Sequence, residues 1–184
     1  MKPIKKIFSI LPLMILWLMF SVIIWGFVFA RITDTDAKHK IVLCVDALAP
    51  GSVQLAAELE KGKDERLRMI QVRPFSYAML DSSMLRQADL YIIPLSEAET
   101  YADWTVPLPD EMSDLPDQMI REGKAWGVKV YDAASGRGCA ASYIEYTDED
   151  YYLFCGKESL HVSENQDAVD GLAADIARRL LKIP

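Results

Sequence analysis

The apolar positions of this chain fall into two regimes. From Ile7 to Ala30 (IFSILPLMILWLMFSVIIWGFVFA) they run on without a charge. At about 1.5 Å rise per residue, a helix of this length spans about 36 Å, enough to cross a hydrocarbon core of about 30 Å. Beyond Arg31 the apolar residues come in short groups divided by polar turns, the pattern of a folded domain facing water. The chain therefore divides into a cytoplasmic tail (1–6), a transmembrane helix (7–30), a linker (31–39) and one extracytoplasmic α/β domain (40–184).

Within the domain, residues 41–45 (IVLCV) read as a strand buried on both faces. Pro50-Gly51-Ser52 starts a helix running through Glu60, with Ser52 as N-cap and Gly62 as its stop. A second strand is expected over 67–72, with Leu67 and Met69 inward and Ile70 and Val72 as further inward candidates, then a Pro-Phe-Ser-Tyr loop and a short helix over 79–86. That helix has Asp81 or Ser82 as an alternative cap. Residues 88–93 form a third buried strand. Ser96 and Glu99 make a capping box for a helix reaching Trp104. The proline-rich stretch 106–122 reads as irregular, with a short helix over 115–121. Residues 125–131 are a strand, 139–146 and 151–155 a hairpin turning at 147–150, and 167–182 a final amphipathic helix. Strands alternating with helices predict a three-layer domain on a mainly parallel sheet, closed by the hairpin and helix.

Charge sets the direction of the anchor. Lys2, Lys5 and Lys6 precede the apolar run and favour a cytoplasmic N-terminus, although Arg31, Lys38 and Lys40 on the far side weaken the bias. Trp25 suits an interfacial anchor, and Pro12 stands near the start, where a helix tolerates it best. A cleaved secretory signal ending at Ala30 is the rival reading, and its usual apolar run is shorter, about 7–15 residues. Both readings export the domain.

From Ile32 onward 16 bases stand against 27 acids, a formal charge of −11. A surface so acidic repels nucleic acid and anionic lipid. The three cysteines are an odd set: Cys44 reads as a core thiol, while Cys139 and Cys155 flank the expected hairpin, where a disulfide is one alternative. His39 and His161 have no Cys or His partner nearby, so no metal site is expected, and no cofactor. Catalytic patterns such as G-x-S-x-G and HExxH are absent from the sequence, which argues against an enzyme.

The order of elements, with Ala88-Asp89-Leu90-Tyr91-Ile92-Ile93-Pro94 as third strand and Gly123-Lys124-Ala125-Trp126-Gly127-Val128 as a strand leaving the lobe, resembles the first lobe of the extracellular solute-binding proteins of ABC importers. The resemblance covers most of residues 40–182. It implies a periplasmic-binding-protein-like lobe, with the second lobe reduced at most to residues 139–155. It also implies a solute such as a sugar, amino acid or peptide, and a membrane partner such as a permease.

In an open parallel sheet, ligands bind outside the carboxyl ends of the strands. That edge gathers Asp46 and Ala47, then Phe75, Ser76 and Tyr77, then Ser96 and Glu97, with Tyr131 and Asp132 able to join. The competing roles are structural: helix capping for Asp46, Ser96 and Glu97, and loop packing for Phe75 and Tyr77. Ser135-Gly136-Arg137-Gly138 leads into a strand and reads as a turn. The acidic 148–150 reads as a solvated hairpin tip. The tyrosines 143, 146, 151 and 152 read as cross-strand packing or as an exposed protein-binding face. Two functions follow: a membrane-anchored solute-binding-like module, or a tethered interaction or sensor domain that kept the lobe fold and lost its ligand.

Overall fold

The computed structural model describes residues 3–33, 35–75 and 83–184. It divides into two compact units, Met1–Thr35 and Asp36–Pro184. The first is a single helix, α1 (Pro3–Thr33), of 31 residues. Its segment Pro12–Phe29 has a mean hydropathy of 2.3 and no buried residue, so by length and composition it can cross a membrane. The helix starts earlier than the apolar run does, which leaves Pro12 inside it rather than near its start.

In the second unit, strand β1 (Lys40–Val45) lies between β2 (Met69–Pro74) and β3 (Leu90–Pro94), parallel to both. Its side chains alternate between two cores. Ile41, Leu43 and Val45 join Leu55 and Leu59 of helix α2 (Ser52–Glu60) and the buried stripe of helix α4 (Leu172–Leu180). Val42 and Cys44 face the other way, toward Tyr91, Leu85 of helix α3 (Ser83–Arg86), Tyr101 and Trp104. The sheet thus carries covering layers on both faces, which is why β1 and β3 read as continuous apolar runs.

The mainly parallel sheet holds for β2-β1-β3 and gives way beyond it. Strand β8 (Tyr151–Gly156) pairs antiparallel with β3 and with β6 (Lys124–Asp132), and β6 pairs antiparallel with β5 (Gln118–Arg121). The path is β2-β1-β3-β8-β6-β5, with two-residue strands β4 (Thr105–Val106) on β8 and β7 (Arg137–Gly138) on β6. Residues 139–146 form no strand, so the expected hairpin is absent. Both edges of β8 are taken by β3 and β6, and Ala140, at φ 53°, turns the chain so that its N–H donates to the Ile183 carbonyl.

Other expectations fail for equally local reasons. Residues 115–121 form no helix. The Gln118 amide donates to the carbonyls of Met112, Ser113 and Leu115 and ends the preceding turn, and β5 then starts. A two-residue turn, Glu122-Gly123 with φ of 51° and 75°, returns the chain into β6, the conformation that matches strand twist. The Ser96 capping box forms no α-helix: residues 95–104 make two 3-10 turns without a side-chain cap, and Tyr101 and Trp104 are drawn into the second core. Packing overrides propensity here. Ser52 is the first helical residue and Gly51 the N-cap, pressed so close to Tyr143 that a Cβ would lie 3.0 Å from its Cα. Met69 faces outward, while Leu67, Ile70 and Val72 are buried. The last helix is shorter than expected, and Val169 lies exposed ahead of it. The proposed caps Asp81 and Ser82 fall outside the described residues.

The thiols of Cys44, Cys139 and Cys155 are free and buried, so no disulfide joins 139 to 155. Burial pushes them up to about 12, about 11 and about 12. Iodoacetamide should label none of the three in the folded chain and all three after denaturation without reductant. A single label on the denatured chain would establish a bridge instead.

Candidate functional site

The carboxyl ends of β1, β2 and β3 were the expected ligand edge. The sheet ladder continues one residue past the strands there: Asp46 N–H donates to the Ile92 carbonyl (2.8 Å) and Phe75 N–H to the Val45 carbonyl (2.7 Å). Phe75 is a core residue, its ring 4.8 Å from Tyr101 and 6.3 Å from Trp104, with the Arg86 guanidinium 5.6 Å from the Trp104 centroid. Ala47 is half-buried on the α2/α4 core. Ser96 is exposed and caps nothing, and Glu97 is half-buried. Ser76 and Tyr77 lie outside the described residues.

The chain itself crosses this edge. Glu145 N–H donates to the Leu48 carbonyl (2.7 Å), Gly51 N–H to the Tyr143 carbonyl (3.3 Å) and Leu95 N–H to the Asp150 carbonyl (2.9 Å). Residues 143–150 are therefore tied to the loops that follow β1 and β3. This segment is anchored to β6 by Asp150, which takes Lys129 Nζ (2.7 Å) and the Ala133 N–H (2.9 Å). Behind it the tyrosines pack together: Tyr131 stacks on Tyr146 at 4.5 Å, and Tyr146 meets Tyr151 edge-on at 5.0 Å.

Asp46 and Glu97 do come together, but as like charges. Burial first, then the charges of Glu97 and Glu149, push the Asp46 carboxyl up from 3.8 to about 6. The folded state holds this proton more tightly than the unfolded chain does. This contribution to stability therefore declines as pH rises from about 4 to about 6. Asp46→Asn should raise the melting temperature at pH 7.5, by on the order of 1 kcal/mol of stability, because the half-exposed carboxyl is partly screened. At pH 4 the two proteins should melt alike. A lower melting temperature for the variant at pH 7.5 contradicts the crowding.

At the carboxyl end of β6 a groove of about 680 Å³ is lined by Lys129, Tyr131, Asp132, Arg137 and Lys182. Tyr131 and Asp132 are the two residues expected to join the ligand edge. Asp150, and with it Asp132, holds Lys129 well above the usual lysine range, so its charge is already engaged. Among the described residues no group of three or more His, Cys, Asp or Glu could hold a metal ion.

A second polar cluster, unsuspected from spacing, lies at the opposite end of β1. Asp89 accepts the Val42 N–H (2.7 Å) and the Ser159 hydroxyl (2.6 Å), and Ser159 Oγ in turn accepts the His161 N–H (3.0 Å). The His161 ring faces Asp170 Oδ1 and the Ala37 carbonyl. Ser, His and Asp meet here without the wiring of a catalytic triad, because the serine hydroxyl points to Asp89 and the imidazole does not touch it. The sequence signal was slight: Asp89 preceding an apolar strand, and a histidine with no partner in its own segment.

No family model and no curated protein matches the chain. Among solved structures, thiaminase I from Bacillus thiaminolyticus superposes with a TM-score of 0.33 at 10% identity, over 50% of this chain and 28% of that one. The chain spans little more than a quarter of that protein's length, and a superposition so loose carries no argument about fold or activity.

Proposed function

We propose that the protein is a membrane-tethered extracytoplasmic domain that binds another protein, and that the strand edge where a solute would sit has been closed by its own chain. The observation that carries this reading is residues 143–150 hydrogen-bonded to the loops after β1 and β3. Phe75, which would have been the aromatic wall of a cleft, is spent in the core. Leu48, Val53 and Leu95 at that edge are 71%, 77% and 46% exposed beside an acidic surface. Apolar residues rimmed by charge suit a protein partner better than a small solute.

A photo-crosslinking residue at position 48 should give a discrete adduct in native membranes, whereas one at Ile120, also exposed on β5, should not. No adduct from 48, 53 or 95 would sink the reading. The groove at the end of β6 favours a second one, a solute module related to the importer-binding proteins that the sequence resembles. A groove that open buries little of a small ligand, and most ligand sites bury the greater part of it.

A further inference from the structure

We propose that His161 is a charged latch that fixes the turn Ala37–His39, where the Asp36–Pro184 unit begins, and that rising pH releases it. The proposal does not depend on what the domain binds. The ring is wholly buried. Its Nδ1 lies 2.8 Å from Asp170 Oδ1 and its Nε2 3.0 Å from the Ala37 carbonyl oxygen. Asp170 Oδ1 already accepts the Leu172 N–H (3.0 Å) at the start of α4, and a carbonyl oxygen can only accept. A neutral imidazole carries one ring proton, so it would turn a lone pair toward one of these oxygens. The imidazolium donates to both.

The charged groups facing the ring are few. Asp170 touches it, and Asp89 stands behind Ser159 on the β3 side. Arg66 acts on Asp170 from the loop before β2, and His39 on the turn itself is directed at the Arg66 carbonyl (2.9 Å). Burial opposes the charge. It is outweighed by the Asp170 hydrogen bond, the charge of Asp89 and the Ala37 carbonyl, which hold His161 above the ordinary histidine range. A histidine raised in the folded state contributes its full stability below the unfolded value, about 6.5, and loses it as pH climbs through the folded one. The window therefore opens on the alkaline side of about 6.5.

The other ties described for the turn are local or peripheral: the Asp36 carboxylate accepts the Lys38 N–H (3.2 Å) and the Asp36 carbonyl the His39 N–H (2.9 Å), the Ala37 carbonyl also accepts the Lys40 N–H, the Arg68 N–H donates to the His39 carbonyl (2.8 Å), and the His39 ring faces Arg66. Among the described residues, the bond from His161 is the one that reaches the turn from the buried interior. The Asp170 carboxylate is the stronger acceptor and keeps the remaining proton on Nδ1, so deprotonation turns the Nε2 lone pair on the Ala37 oxygen in a dry site, which is costly unless the turn moves away. Deprotonation therefore frees residues 37–39 while leaving β1 and the cores in place.

The test uses the full chain in lipid nanodiscs with 15N-labelled histidine, of which there are two. Long-range 15N–1H spectra across pH 5–9 should show one histidine with both ring nitrogens protonated and a midpoint above the ordinary histidine value of about 6.5. Amide exchange at 37–39, corrected for base catalysis, should accelerate at the same midpoint. Asp170→Asn, which still accepts the Leu172 N–H, should lower that midpoint by about 1–3 pH units. If the variant does not fold, the wild-type titration decides alone. A buried histidine showing one unprotonated nitrogen at pH 6 overturns the proposal, as does exchange at 37–39 that ignores its titration.

Discussion

Gly156→Ala should lower the melting temperature of the domain by on the order of 10 °C. Gly156 ends β8 with its backbone against residues 88 and 89, and its N–H donates to the Asp89 carbonyl (2.9 Å). A Cβ built there would lie 2.0 Å from the Ala88 carbonyl oxygen and 3.2 Å from the Tyr91 ring. The first neighbour is backbone, so no rotamer change relieves the clash and β8 must move against β3. Overpacking of this kind costs about 1–3 kcal/mol and more where backbone has to shift. The whole domain holds about 5–15 kcal/mol, and in a domain this size each kcal/mol is worth about 2–4 °C. Gly136→Ala is the control. It sits at φ 64° with nothing within 4 Å of the new methyl, so it should cost only the left-handed backbone penalty of about 1–2 kcal/mol. Tyrosine fluorescence, whose eight residues all lie beyond α1, follows the transition better than far-ultraviolet dichroism, to which α1 contributes heavily. Equal losses in the two variants would contradict the packing.

Asp89→Ala should be comparably damaging, by about 3–5 kcal/mol. It strips the partner from two buried donors, the Val42 N–H and the Ser159 hydroxyl, and each orphaned donor costs about 1–3 kcal/mol. Burial pushes the Asp89 carboxyl upward, against the Ser159 and Val42 hydrogen bonds and the charge of His161, which hold it down. Removing it also takes a counter-charge from His161, so the variant should weaken the latch as well as the sheet. Asp89→Asn keeps one acceptor oxygen for the Val42 N–H and should cost less. Chemical denaturation at pH 6 should rank wild type, Asn and Ala in that order, and an Ala variant as stable as the Asn variant would show that the orphaned donors find other partners.

Long, uniform signals survived the passage from sequence to structure. Residues 41–45 and 90–93 are apolar on both faces because helices and turns cover both sides of the sheet, and nothing but burial explains such a run. The stripe of α4 was plain for the same reason. What failed depended on distant partners. Residues 139–146 alternate like a strand, yet the edges of β8 were already claimed by β3, more than 50 residues earlier, and by β6. Residues 115–121 read as a short helix, but the Gln118 amide holds the carbonyls of the turn ahead of it and Glu122-Gly123 makes Gln118–Arg121 half of a hairpin. Ser96 and Glu99 have the spacing of a capping box, but two aromatics behind them belong in the core.

The candidate site divides along the same line. That Asp46 and Glu97 lie at one edge follows from strand order alone, and the structure brings them together. That residues 143–150 cross that edge depends on three backbone hydrogen bonds to loops about 50 to 100 residues earlier, which no local pattern announces. His161 was invisible for a related reason: its partners, Ala37 and Asp170, come from the two ends of the unit.

The most direct test of a strand edge closed by its own chain is the melting temperature of the full chain in nanodiscs against pools of sugars, amino acids and short peptides. A ligand at 100 times its dissociation constant adds about 2.7 kcal/mol, or roughly 5–10 °C in a domain of this size. The closed edge predicts no reproducible rise from any pool. A rise of several degrees from one pool, abolished by substitutions at Asp46 or Glu97, would show that the edge opens to a solute and would contradict the account.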